Sequence, residues 1–174
     1  MMENLEIRPA RETDFAEITA IYAHHVRHGT ASFEEVPPSV QEMMERWRKV
    51  TGSGNIWLVA ADAVGIHGYA YTTPFHVRPA YRFTIENAVY VAHDAARRGI
   101  GKALMKPLIE HARTEGRCRM IAVIGDSANA GSIGLHEFYG FRHIGVLEKV
   151  GYKFERWIDV VMMQLDIQPE VNPG

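Results

Sequence analysis

Residues 88–106 read AVYVAHDAARRGIGKALMK: a stretch suited to a strand, a turn holding Arg97, Arg98, Gly99 and Gly101, then an amphipathic helix pattern. A chain that puts its most flexible and most cationic residues where a strand becomes a helix is restricted in what it can build. The first turn of a helix has unpaired N–H groups and the positive end of the helix dipole, so an anion is stabilised there. Gly99 and Gly101 let the backbone approach such an anion without an intervening Cβ. Arg97, Arg98 and Lys102 add charge. A tight strand–helix turn with a solvated basic edge is the plainer reading, and a lone Gly-x-Gly fits both. The spacing excludes two common nucleotide motifs. The dinucleotide fingerprint needs a small residue where Leu104 stands, and the nucleoside-triphosphate loop needs glycine at Ala96 and Ser or Thr at Ala103.

The remaining chain supplies a sheet and its covering helices. Residues 5–9 read as a strand. Phe15, Ile18, Tyr22 and Val26 have helical spacing behind Thr13 or Asp14. The loop HGTASFEEVPP follows, with Phe33 expected in the core. Ser39 and Glu42 form a capping box for a second helix with Val40, Met43, Met44 and Trp47 on its apolar face. NIWLVAA and IHGYAYTTP read as a hairpin, and RFTIENAVYVA as the next strand. Pro107 falls inside the third helix and should kink it or remove a hydrogen bond. CRMIAVIGD is a nearly unbroken apolar strand of the buried kind, SANAGSIGLHEFYGF a short helix, and residues 143–166 two strands. The order β-α-α-β-β-β-α-β-α-β-β describes an α/β chain with a mixed sheet flanked by helices. Residues 1–167 are expected to form one domain and 168–174 a disordered tail.

Composition limits the partners. A formal charge of −2 argues against nucleic-acid or membrane-surface binding through bulk charge. The single Cys118 allows no internal disulfide and fits a reducing cytoplasm, where it reads as structural. No signal peptide is visible, and the nine histidines show no metal-ligand spacing.

Several strings, in order and spacing, carry a resemblance: TASFEEVP, RPAYRFTIENAVYV, RRGIGKALM, AVIGDSANAGSIGLHEFYGFRHIG and VGYKFERWIDVV. Over residues 5–167 the chain resembles the GNAT superfamily of acyl-CoA-dependent N-acetyltransferases, and within it those acting on phosphinothricin and methionine sulfoximine. The resemblance implies a mostly antiparallel sheet and acetyl-CoA as cosubstrate. It places the coenzyme's pyrophosphate on the turn formed by Arg97, Arg98, Gly99, Ile100, Gly101 and Lys102. Ala96 departs from the family's Gln or Arg at the first position of that motif. By the same resemblance Val89, Tyr90 and Val91 pair with the pantetheine arm and Asn129 bonds to it. A helix cap is the alternative for Asn129.

Acetyl transfer to an amine needs a base, an oxyanion donor and a proton for the departing thiolate. A carboxylate inside an apolar strand is unusual without a partner. Glu86 therefore reads either as a salt-bridge partner of Arg82 or Arg78, or, as the resemblance implies, as the catalytic base. Arg78 and Arg82 offer a carboxylate site, Tyr81 a pocket wall, and Phe33 and Glu35 resemble the family's substrate-side loop. His136 stands where many family members have tyrosine, so the general acid is left open between donor and packing roles. A small-molecule amine acetylated directly in a ternary complex is the leading expectation, with a homodimer built partly on YKFERWIDVVMM. Acetylation of a protein N-terminus and a silent acyl-CoA-binding module are the alternatives.

Overall fold

The computed structural model describes residues 5–168, and the tail expected at 168–174 lies outside them save for Gln168. Seven strands and four α-helices follow the order read from the sequence: β1 (Glu6–Pro9), α1 (Phe15–His28), α2 (Val40–Gly52), β2 (Trp57–Ala61), β3 (Ile66–Pro74), β4 (Thr84–Val91), α3 (Ile100–Thr114), β5 (Arg119–Gly125), α4 (Ala130–Phe138), β6 (Arg142–Lys153) and β7 (Arg156–Asp166). They form one sheet in the order β1-β2-β3-β4-β5-β7-β6. Only β4 and β5 run parallel, the other neighbours being antiparallel. That parallel pairing needs a crossover, and α3 provides it.

The two sheet faces carry separate cores. One holds Ile85, Leu104, Leu108, Met120 and Met163 around α3. The other holds Phe15, Ile18, Met43, Trp57 and Tyr69 around α1 and α2. A fully buried Leu or Ile contributes about 1.5–3 kcal/mol relative to exposure, so these stripes position the helices. Ser39 caps α2 as expected: its Oγ accepts from the Glu42 amide at 3.2 Å and its own amide donates to Glu42 Oε2 at 2.6 Å. Asp14 precedes α1 without capping it, because its carboxylate is taken by Arg8 at 2.7 and 2.9 Å. α3 runs through Pro107 without interruption, which leaves the Ala103 carbonyl without its usual i+4 donor.

Two expectations of burial fail. Phe33 is 41% exposed, and Val123, inside the apolar run of β5, is 40% exposed. Both departures have one cause. β4 and β5 pair over only four residues, Thr84 with Arg119 through Asn87 with Ala122, and then part. Val123 and Phe33 line the space that opens.

Candidate active site

The parting of β4 and β5 leaves backbone groups unpaired inside the sheet. At the two ends of β4, Phe75 N–H donates to the Thr84 carbonyl and Ala92 N–H to the His67 carbonyl. In an antiparallel ladder this fixes the alternation: even-numbered residues of β4 bond to β3, and odd-numbered ones turn their N–H and C=O toward β5. Ile85 and Asn87 meet β5, whereas Val89 and Val91 lie beyond its last pair. The Val91 carbonyl accepts instead from His25 Nε2 at 2.8 Å. Among the described residues Val89 has no strand partner on that side. At the fork itself Asn87 Nδ2 donates to the Ile121 carbonyl at 3.2 Å.

Two cavities open along this gap. A volume of about 470 Å³ is lined by Tyr22, Ser32, Phe33, Glu34, Tyr71, Glu86, Tyr90, Val123 and His136 among others. A groove of about 780 Å³ is lined by His24, His25, Val91, Arg97, Gly99, Ile100, Gly101, Lys102 and Leu135 among others. Ala31, Val89, Asn129 and Ser132 line both. The cavities therefore meet at Val89, the residue whose backbone is unpaired.

The turn at the end of the groove has the conformation the glycines suggested. Gly99 lies at φ +82° as the residue preceding α3, and Arg97 at φ +61°. Left-handed residues in such a turn aim successive N–H groups to one side and form an anion-binding nest. A Cβ on Gly101 would stand 3.1 Å from Leu135 Cδ2, so α4 packs against that glycine. Arg98 is exposed and lines neither cavity. Lys102 Nζ lies 3.5 Å from the Phe138 ring centroid, a cation–π contact. Asn129 is both a cap and a wall: its Oδ1 accepts from the Ser132 amide at 3.1 Å.

Glu86 is half-buried on the face of α1 and α2, and burial raises its pKa. Among the described residues it has no ion pair. The salt bridge to Arg78 or Arg82 is not formed: Arg82 donates to the Pro79 carbonyl and lies over the Phe83 ring. Arg78, Tyr81, Arg82 and Glu35 are exposed and line neither cavity. His136 is buried, with Nδ1 donating to the Ser132 carbonyl at 2.7 Å and Nε2 3.0 Å from Asn87 Oδ1. Burial lowers its pKa against the opposing pull of the Ser132 carbonyl. Each ring nitrogen faces a protein oxygen, so Ser132 and Asn87 hold the ring in place.

Tyr22, Ser32, Glu34 and Tyr71 are not assigned to the site from sequence; they come from α1, the loop after it and β3. Tyr22 and Ser32 share a hydrogen bond of 2.8 Å, and Glu34 pairs with Arg46 at 2.7 Å. Asn87 had a signal: Glu86-Asn87 is the only adjacent polar pair inside β4.

A family model for the acetyltransferase (GNAT) domain matches residues 7–162. The chain belongs to the GNAT acetyltransferases. Within this family, the phosphinothricin N-acetyltransferase of Alcaligenes faecalis is 52% identical over 160 residues, covering 91% of this chain and 80% of that protein. The L-methionine sulfoximine/L-methionine sulfone acetyltransferase of Pseudomonas aeruginosa is 39% identical over 164 residues, covering 94% of this chain and 95% of its own. Among solved GNAT structures, a phosphinothricin acetyltransferase from Sinorhizobium meliloti in complex with acetyl-CoA superposes with a TM-score of 0.90 at 40% identity, covering 94% of this chain and 89% of that one. No helix among the described residues is long and apolar enough to cross a membrane, and none of them form a cluster of three or more metal-ligating side chains.

Proposed function

We propose that this GNAT acetyltransferase moves the acetyl group of acetyl-CoA to the amino group of a small amino-acid analogue of the phosphinothricin or methionine sulfoximine type. The observation that carries the reading is that one strand, β4, serves both cavities: Glu86 lines the smaller, Val91 the groove, and Val89 their junction. The Gly99–Gly101 nest suits the coenzyme's pyrophosphate. Its pantetheine arm extends the unpaired edge of β4 as an added strand would. This brings the thioester to Val89, whose free N–H is placed to stabilise the oxyanion.

Glu86 takes a proton from the substrate ammonium, and the freed nitrogen attacks the thioester carbonyl in a ternary complex. The tetrahedral adduct forms the N–C bond, collapses with cleavage of C–S, and loses its second nitrogen proton as the thiolate gains one. Arg78 and Arg82, exposed and outside both cavities, are not assigned to the substrate carboxylate. We further propose a homodimer formed through β6, an edge strand whose Val146, Leu147, Val150, Tyr152 and the following Trp157 are 48–60% exposed.

The test is release of free coenzyme A thiol with acetyl-CoA against a panel of amino acids, amines and peptides. Saturable turnover with phosphinothricin or methionine sulfoximine is expected. Turnover confined to peptides would overturn the substrate class.

A further inference from the structure

Lys153 is a buried cation that the transfer chemistry does not use. It stands at the end of β6, 2% exposed. Its ammonium donates to the carbonyls of Gly29 at 2.8 Å and Ser32 at 2.7 Å, and it has no carboxylate within ion-pair distance among the described residues. A lysine so buried without a carboxylate partner is rare, because an ammonium removed from water must be met by hydrogen bonds. Here both acceptors belong to one segment, residues 29–34, between α1 and α2.

That segment is held almost entirely from outside itself. It has neither helix nor strand, and among the described residues no turn or loop hydrogen bond joins the backbone of residues 30–34 to other backbone. Its anchors come from α1 and α2, through Tyr22 to Ser32 and Arg46 to Glu34, and from the β6–β7 hairpin, through Lys153. The Phe33 ring occupies the space above Gly151, where a Cβ would collide with it. Thr30 Oγ1 donates to Asp126 at 3.2 Å, and Arg156 at the start of β7 donates to the same carboxylate. Yet Ser32, Phe33 and Glu34 form one wall of the cavity that contains Glu86, and Ala31 lines both cavities.

We propose that Lys153 is a positioning residue, which pins residues 29–34 as the fixed amine-side wall opposite β4 and thereby sets how the substrate is presented to Glu86. The presentation of substrate rests on the acetyl-transfer reading; the pinning does not. Strand alternation supports the assignment. Gly151 and Lys153 turn inward to the segment, while Tyr152 and Phe154 are exposed.

Two variants test it. Lys153→Met keeps the unbranched apolar stem but removes the donors, and Lys153→Gln keeps a donor one atom shorter. Hydrogen exchange at the Gly29 and Glu34 amides, which donate to the His25 carbonyl and to Ser32 Oγ, measured without ligands, should rise about tenfold or more in Lys153→Met, the scale of losing a charge-assisted hydrogen bond, and less in Lys153→Gln. The KM for phosphinothricin or methionine sulfoximine should rise in the same order and by more than the KM for acetyl-CoA. Folded variants with unchanged exchange at these amides, or with exchange rising equally across the sheet, overturn the proposal. So does failure of both variants to fold, which would make Lys153 a folding residue. If the wild-type protein acetylates neither amine, the exchange result still decides the pinning, and the substrate assignment alone falls.

Discussion

Glu86 combines three properties that seldom coincide: a position within a strand, partial burial, and no cation paired with it. Burial disfavours the carboxylate, so the proton is held to higher pH than on an ordinary glutamate. The base form is therefore lost as pH falls through that raised pKa, and the acid limb of the kcat/KM profile should lie above the usual carboxylate range. Glu86→Gln should lower turnover by about 10²–10⁴, the worth of a positioned general base. It should abolish the acid limb and leave acetyl-CoA affinity nearly unchanged. Melting temperature should not fall, since no salt bridge is broken; a clear drop would restore the structural reading. At this scale the sequence showed Glu86, because a charge in an apolar strand stands out. It did not show that Arg78 and Arg82 lie outside the cavity, since an exposed loop and a pocket wall share the same composition. Nor could it show Tyr22 beside Ser32, because no local pattern links residues on different elements.

At the scale of elements, the turn before α3 was the most legible feature and gives the sharpest test. Acetyl-CoA should stabilise the fold by mass action, by about 2.7 kcal/mol at a hundredfold excess over Kd. For a chain of this size that is roughly 5–11 °C in Tm. Gly101→Val should remove the shift, because its side chain would enter the groove and press on Leu135. Differential scanning fluorimetry checks both, and a full shift in the variant would detach the coenzyme from this turn. Helices and strands were readable because capping, period and turn residues agree with one another. The exposure of Val123 was not. Hydrophobicity along β5 is continuous, and only its separation from β4 turns one of its valines into a cavity wall.

For the whole molecule, the prediction concerns β6. A long edge strand with exposed apolar side chains invites pairing or packing with another copy. Sedimentation at micromolar concentration should show a dimer, and Trp157→Glu, at a position 60% exposed, should shift it to monomer without unfolding it. A wild-type monomer would count against the assembly. The fork between β4 and β5 has a further consequence, which is mechanical. The sheet is two plates, β1–β4 and β5–β7, joined within the sheet by a seam of four residue pairs, where β3 and β4 share seven. A pantetheine arm lying in the gap, as proposed above, would act as a splint across that seam. On that proposal rigidity would be borrowed at each coenzyme binding and given back when the spent coenzyme leaves, and the protein would be at its most compliant between turnovers.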